Sequence, residues 1–144
     1  MITRRMLMLS ALAVAAPARA APPVSVTLYK SPGCGCCDFY ADYLRQHGFT
    51  VAAHETGDLA AVSRKAGVPP DLQGCHTAFI GGYVIDGHVP VEAIGKLLAE
   101  HPPLTGIVLP GMPEGSPGMA GDKTGPFTIY AIGRDGKVSP YMTL

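Results

Sequence analysis

The sequence has no tryptophan, only 15% charged residues and no cluster of basic side chains. Apolar residues occupy 47% of its 144 positions, a balance that excludes an intrinsically disordered chain. Three of the 11 basic residues, Arg4, Arg5 and Arg19, lie in the first 20 positions, which contain no acid, so the remainder has 8 basic and 11 acidic residues. We therefore expect no nucleic-acid partner, because such binding requires a positive surface.

The first 20 residues have the features of an export signal. Two arginines precede an apolar run at residues 7–16, and Ala18-Arg19-Ala20 fits a small-x-small cleavage site. The run is too short to span a bilayer, so a permanent anchor is the less favoured alternative. We expect export to the periplasm by the general secretory or the twin-arginine route, leaving residues 21–144 as one domain without a membrane span.

Hydrophobic periodicity predicts alternating strands and helices in the exported part. The predicted strands are 24–29, 49–54, 75–80 and 83–85; the predicted helices are 36–47, 58–66 and 90–101. This β-α-β-α-β-β-α order is the thioredoxin-like arrangement, an α/β fold in which the first two strands pair in parallel and the last two form a hairpin. A Gly/Pro/Met loop at 106–126 and a β-hairpin at 127–141 are expected to form a C-terminal extension, residues 106–144.

Three of the four cysteines, Cys34, Cys36 and Cys37, lie within four residues, where the first strand meets the first helix. In an exported protein an even cysteine count usually means disulfides, but linking distant parts of a chain does not require three adjacent thiols. The positive end of a helix favours thiolate over thiol. Dithiol exchange needs only two sulfurs, whereas thiolates can bridge several soft ions, so the pattern favours a Cu(I) cluster.

Further candidate ligands lie outside this motif. If the predicted fold holds, the third strand begins opposite the cysteine turn, and Cys75 and His76 face it; oxidoreductases of this fold have a cis-proline there, which this chain lacks. Thioethers also select soft ions, which adds Met112 and Met119 of the long loop. His88, after the Asp86-Gly87 turn, is the last candidate. For the histidines and methionines, ordinary core or surface positions are the alternative.

Five motifs between Val26 and Met119 are highly specific in combination. They are Tyr29-Lys30-Ser31-Pro32 leading into Cys34-Gly35-Cys36-Cys37, Gly67-Val68-Pro69, Cys75-His76-Thr77, Gly82-Tyr83-Val84-Ile85 with Gly87-His88-Val89-Pro90, and Pro110-Gly111-Met112-Pro113 with Gly115-Ser116-Pro117-Gly118-Met119. The sequence thereby resembles the CopG-like family of small exported bacterial copper-resistance proteins. The resemblance implies a thioredoxin-like fold, a role in copper handling, and copper held by the four cysteines with help from His and Met. Ala120 replaces a usual acid, and Phe39-Tyr40 stand where Trp is frequent.

The sequence therefore predicts a periplasmic copper-binding protein that holds Cu(I) in a multinuclear, cysteine-bridged site for copper resistance or homeostasis. It either sequesters the copper or passes it on to other periplasmic copper-handling proteins. The alternative is a thiol–disulfide oxidoreductase with Cys34 as nucleophile and Cys37 as resolving thiol, against which the surplus Cys36 counts. A structural zinc site or a disulfide-stapled module is a third possibility, but four ligands satisfy zinc and would leave the remaining donors without a role.

Overall fold

The computed structural model describes residues 22–144, and the predicted export signal lies outside this range. The strands are β1 (Ser25–Lys30), β2 (Thr50–Glu55), β3 (His76–Ile80), β4 (Tyr83–Asp86), β5 (Leu104–Val108), β6 (Thr128–Gly133) and β7 (Val138–Thr143). The helices are α1 (Gly35–Gln46), α2 (Leu59–Lys65) and α3 (Val91–Glu100), with a 3-10 turn at Pro70–Leu72. Within the described residues, no helix is long and apolar enough to cross a membrane.

All seven strands belong to one mixed sheet in the order β2-β1-β3-β4-β5-β6-β7. β1 pairs in parallel with β2, and β3 runs antiparallel to both β1 and β4. β5 returns parallel to β4, and β6 and β7 continue the sheet in antiparallel fashion. The expected α/β class is confirmed, and the predicted β1–β2 pairing and β3–β4 hairpin are present.

Side chains along each strand point alternately to the two faces of the sheet, and different parts of the chain cover each face. One face carries Val26 and Leu28 and packs against the buried side chains of α1 and α3. The other carries Val84 and Val108, which pack against Val68 in the segment that follows α2. Each fully buried aliphatic side chain contributes about 1.5–3 kcal/mol to stability, so both layers hold the sheet in place.

The C-terminal third of the chain differs from the sequence prediction. Residues 104–108 form a strand, so the loop expected at 106–126 begins only after Val108. The predicted C-terminal hairpin is present as β6 and β7, and it continues the main sheet. The sequence does not reveal this strand, because Gly106 lies in its middle and glycine is unfavourable inside a strand. In the structure a Cβ at Gly106 would lie 1.9 Å from the carbonyl oxygen of Val84, so only glycine permits the parallel β4–β5 pairing.

Candidate metal centre

The junction between β1 and α1 positions three cysteines. Cys34 is the extended N-cap residue of α1, and Cys36 and Cys37 lie in the first helical turn. Cys34 and Cys37 are joined by a disulfide with a Cα–Cα distance of 5.4 Å, well within the range for such bonds. The expected set of four thiolates is therefore complete only after two-electron reduction of this bond, whereas Cys36 and Cys75 are free and partly exposed thiols.

The start of β3 faces this turn, and the four sulfurs converge there. The Sγ atom of Cys36 lies 3.5 Å from that of Cys34 and 3.7 Å from that of Cys75. The Sγ atom of Cys37 lies 3.2 Å from the carbonyl oxygen of Cys75. All four sulfurs lie within 4.8 Å of one another, so the fold brings together the cysteines that the sequence separates.

Two histidines lie on the other side of Cys75. Its sulfur is 3.1 Å from Nε2 of His88 and 3.5 Å from Nδ1 of His76, and the three donors form a second group within 4.8 Å. Nδ1 of His88 is 2.7 Å from the carbonyl oxygen of Pro117 and must donate to it, because a carbonyl only accepts. The lone pair of His88 is therefore on Nε2 and points at Cys75.

The protonation states suit metal binding by the two imidazoles. Burial, together with the neighbouring His88, lowers the pKa of His76 to about 3. Burial also lowers the pKa of His88. Both rings are thus neutral near pH 7 and keep a lone pair for a metal ion. Burial, reinforced by the contact with Cys36, raises the pKa of Cys75 to about 12 and so disfavours its thiolate. A bound cation would offset this effect, because its charge stabilises the thiolate.

Tyr40 of α1 supports the histidines. Its buried ring stacks on His76 with 4.5 Å between centroids and meets the ring of His88 edge-on at 5.4 Å. Its hydroxyl donates to the carbonyl oxygen of Val89 at 2.8 Å, so the ring is fixed at both ends. Among the described residues, Nε2 of His76 has no hydrogen-bond partner, which leaves a buried nitrogen available to a ligand. In the sequence, Tyr40 stands out only as one of two aromatic residues at a position where Trp is frequent in the family, and nothing there indicates its contact with the histidines.

The long loop packs against the first turn of α1. A Cβ on Gly118 would lie 2.7 Å from the backbone nitrogen of Tyr40 and 2.9 Å from the carbonyl oxygen of Cys36. Met119 follows directly and is partly buried, with its backbone N–H donating to Ser116 at 2.9 Å. Met112 lies at a turn and is 40% exposed. The loop thus brings Gly118, which precedes Met119, beside the first turn of α1, whereas Met112 is an exposed residue.

An ion-pair cluster holds the base of the cysteine turn. The ammonium group of Lys30, a buried residue at the end of β1, lies 2.9 Å from a carboxylate oxygen of Asp38 and 3.3 Å from one of Glu55. Glu55 also accepts from the backbone N–H of Gly33 at 3.4 Å. Because these groups lie on β1, α1, β2 and the turn itself, they tie the turn to the sheet.

The fold and the site define a mixed α/β protein with a cysteine and histidine cluster able to bind metal. Residues 72–119 match a family model described as "Protein of unknown function, DUF411". Two solved structures, both named copper resistance protein copG (Form 1 and Form 2), are 36% identical to the chain, with TM-scores of 0.78 and 0.79. Each alignment covers 85% of this chain and 98% of the other. No curated protein matches. The chain therefore belongs to the same family as copG.

Proposed function

We propose that the chain is a periplasmic copper-binding protein that holds Cu(I) for copper resistance or homeostasis. The observation that carries this proposal is the convergence of four sulfurs and two neutral imidazoles around Cys75. Thiolate, thioether and imidazole groups are the donors that soft copper prefers. The copper-resistance name of the two related structures supports the same metal. The β2-β1-β3-β4 order with β3 reversed supports a thioredoxin-like fold for the single domain formed by residues 21–144.

The proposed ligands fall into two sets that share Cys75. The first is the sulfur set Cys34, Cys36, Cys37 and Cys75, in which thiolates bridge several ions once the disulfide is reduced. The second set consists of Cys75 and the ring nitrogens of His76 and His88. We also propose thioether ligation by Met119 and Met112 of the long loop, which contacts the first turn of α1 through Gly118. This set exceeds the four ligands of a closed tetrahedral site, which favours a multinuclear copper centre over structural zinc.

Copper is the cargo in this proposal, and partner proteins deliver and remove it. Cys36 and Cys75 are partly exposed, so an incoming thiolate or thioether of another periplasmic copper-handling protein can reach the ions directly. Export explains why the protein meets copper outside the cytoplasm, and the predicted signal in the first 20 residues supports this location.

The metal content of the protein tests the proposal. The protein is isolated from the periplasm, reduced anaerobically, loaded with Cu(I) or with Zn(II), and analysed for bound metal per chain. We expect two or more copper ions, and fewer in Cys36→Ser at an unchanged circular dichroism spectrum. Unchanged copper content in Cys36→Ser would contradict the proposal.

The Cys34–Cys37 disulfide at a helix N-terminus supports a second candidate, a thiol–disulfide oxidoreductase. In that case Cys34 is the nucleophile and Cys37 the resolving thiol. An insulin-reduction assay separates the two functions. Exchange activity that is lost in Cys34→Ser and kept in Cys36→Ser, in a protein that takes up no copper, would establish the enzyme instead.

A further inference from the structure

A buried carboxylate lies directly behind the Cys75-His76 pair. Asp86, the last residue of β4, is inaccessible to solvent. Its Oδ1 atom accepts a hydrogen bond from the backbone N–H of Gly74 at 2.6 Å, and its Oδ2 atom accepts one from the hydroxyl of Thr77 at 2.7 Å. Gly74 and Thr77 flank the pair, so one side chain holds the backbone on both sides of the two candidate ligands.

A second layer of the fold fixes this arrangement. Because the Thr77 hydroxyl gives its one proton to Asp86, it accepts from the hydroxyl of Ser63 in α2 at 2.7 Å, and Ser63 shares that proton with the carbonyl oxygen of Leu59 at 3.0 Å. Both hydroxyl-bearing residues are buried, so water does not compete for these bonds. The chain of hydrogen bonds therefore runs from α2 through β3 to Asp86 on β4.

Cys75 needs such support because it precedes the strand ladder. β3 begins at His76, whose register partner on β1 is Lys30, so Cys75 has no ladder partner in this pairing. Its neighbour Gly74 packs closely against the turn that follows β4. A Cβ on Gly74 would lie 2.8 Å from the Cα atom of Gly87 in that turn. The same turn leads directly to His88. A shift of Asp86 would therefore change the distance between Cys75 and His88.

We propose that Asp86 is a positioning residue that, through Gly74 and Thr77, holds Cys75 at the distances from Cys36 and His88 that copper binding requires. This inference rests on the proposed function for its copper readout. It assigns Asp86 no contact with the metal. Outer contacts of this kind orient ligands, and their loss typically weakens metal binding about 10- to 100-fold.

The hydrogen-bond pattern defines a conservative variant. In Asp86→Asn the amide oxygen still accepts from Gly74, and the amide nitrogen can donate to Thr77, whose hydroxyl then donates to Ser63. The sequence of bonds to Leu59 stays complete. Asp86→Ala removes both bonds. Asp71→Ala, which replaces an exposed acid in the nearby 3-10 turn, is the matched control.

Copper affinity is measured on the reduced, exported protein by competition with a Cu(I) chelator, in the wild type and in a Cys75→Ser background. Asp86→Ala is expected to weaken binding at least about tenfold with Cys75 present, whereas Asp86→Asn and Asp71→Ala stay within about threefold. In Cys75→Ser, Asp86→Ala should add little, because the residue that it positions is gone. Equal weakening in both backgrounds would show a general structural role and overturn the inference.

Alkylation of the metal-free protein gives a readout that does not depend on copper. Asp86→Ala should change the alkylation rate of Cys75 relative to Cys36 by more than about threefold. If this change occurs in a protein that takes up no copper, the proposed function fails and the positioning of Cys75 stands. Unchanged affinity and unchanged alkylation would reject the positioning role alone. Should Asp86→Ala fail to fold, Thr77→Val compared with Thr77→Ser carries the same test.

Discussion

The sulfur of Cys75 lies 3.1 Å from Nε2 of His88, although 13 positions separate the two residues in the sequence. Because Nδ1 of His88 donates to Pro117, the Cys75 thiol is the donor in this contact. A metal ion bound by both atoms takes the place of that thiol proton. The contact therefore joins the sulfur set to the imidazole set, and replacing either residue should damage both.

His88→Ala is expected to weaken Cu(I) binding at least about tenfold, because it removes one donor and the group that holds Pro117. The affinity is measured by chelator competition under reducing, anaerobic conditions. His54→Ala, which removes an exposed histidine on β2, is the control and should match the wild type. A wild-type affinity in His88→Ala would exclude His88 as a ligand.

Thiol titration should distinguish the two pairs of cysteines. The metal-free protein should show two reactive thiols before reduction, Cys36 and Cys75, and four after reduction of the Cys34–Cys37 bond. Since the pKa of Cys75 is raised to about 12, this thiol holds little thiolate at pH 8 and its reaction should accelerate as the pH rises toward that value. Mass spectrometry after alkylation identifies each site. Four reactive thiols in the unreduced protein would show that the disulfide is absent.

Gly118→Ala should destabilise the loop on the cysteine turn more than Gly111→Ala does. Both glycines have positive φ values, 83° and 81°, so either substitution costs about 1–2 kcal/mol in backbone strain. Only at Gly118 would the added methyl also meet backbone atoms of Cys36 and Tyr40, which adds about 1–3 kcal/mol. Denaturant unfolding of the two variants isolates the packing contribution. Equal losses of unfolding free energy in Gly118→Ala and Gly111→Ala would mean that the loop does not pack against α1.

Gly106→Ala and Gly95→Ala should change the stability in opposite directions. A methyl group at Gly106 would collide with Val84 and break the β4–β5 pairing, a loss of about 3 kcal/mol or more. Gly95 is an exposed residue inside α3, and within residues 22–144 no atom lies within 4 Å of an added Cβ, so alanine there should stabilise the protein by about 0.5–1 kcal/mol. Thermal unfolding measures both. A tolerated Gly106→Ala would contradict the assignment of β5.

Lys30→Met should loosen the turn that carries the cysteines. The substitution keeps an apolar stem in the buried site but leaves Asp38 and Glu55 without their shared cation. We expect faster hydrogen exchange at the backbone amides of Gly33 and Cys34. Lys137→Met, which removes an exposed partner of Asp135, should leave those amides unchanged. Equal exchange in both variants would show that the ion pairs do not hold the turn.

Local sequence patterns were sufficient for most of the elements. Alternation identified β1 and β2 to within one residue, and the helix predicted from residue 58 is present as α2, with Asp58 as its N-cap accepting from the backbone N–H of Ala61 at 2.9 Å. These features depend on neighbours a few residues away, which is why periodicity and capping reveal them. β5 was not predicted, because Gly106 is favourable in a strand only when it pairs with β4, which lies about 20 residues earlier in the chain.

By itself the sequence determined which donor residues the protein has and the order of its first elements, because residue type and short-range periodicity are properties of local chain. Only the tertiary structure decided how those donors meet: the 3.1 Å contact of Cys75 with His88, the stacking of Tyr40 on His76, and the buried Asp86 behind Cys75. These relations join residues on different strands and helices. Their distances follow from the packing of the whole sheet between its two helical layers, which no local pattern encodes.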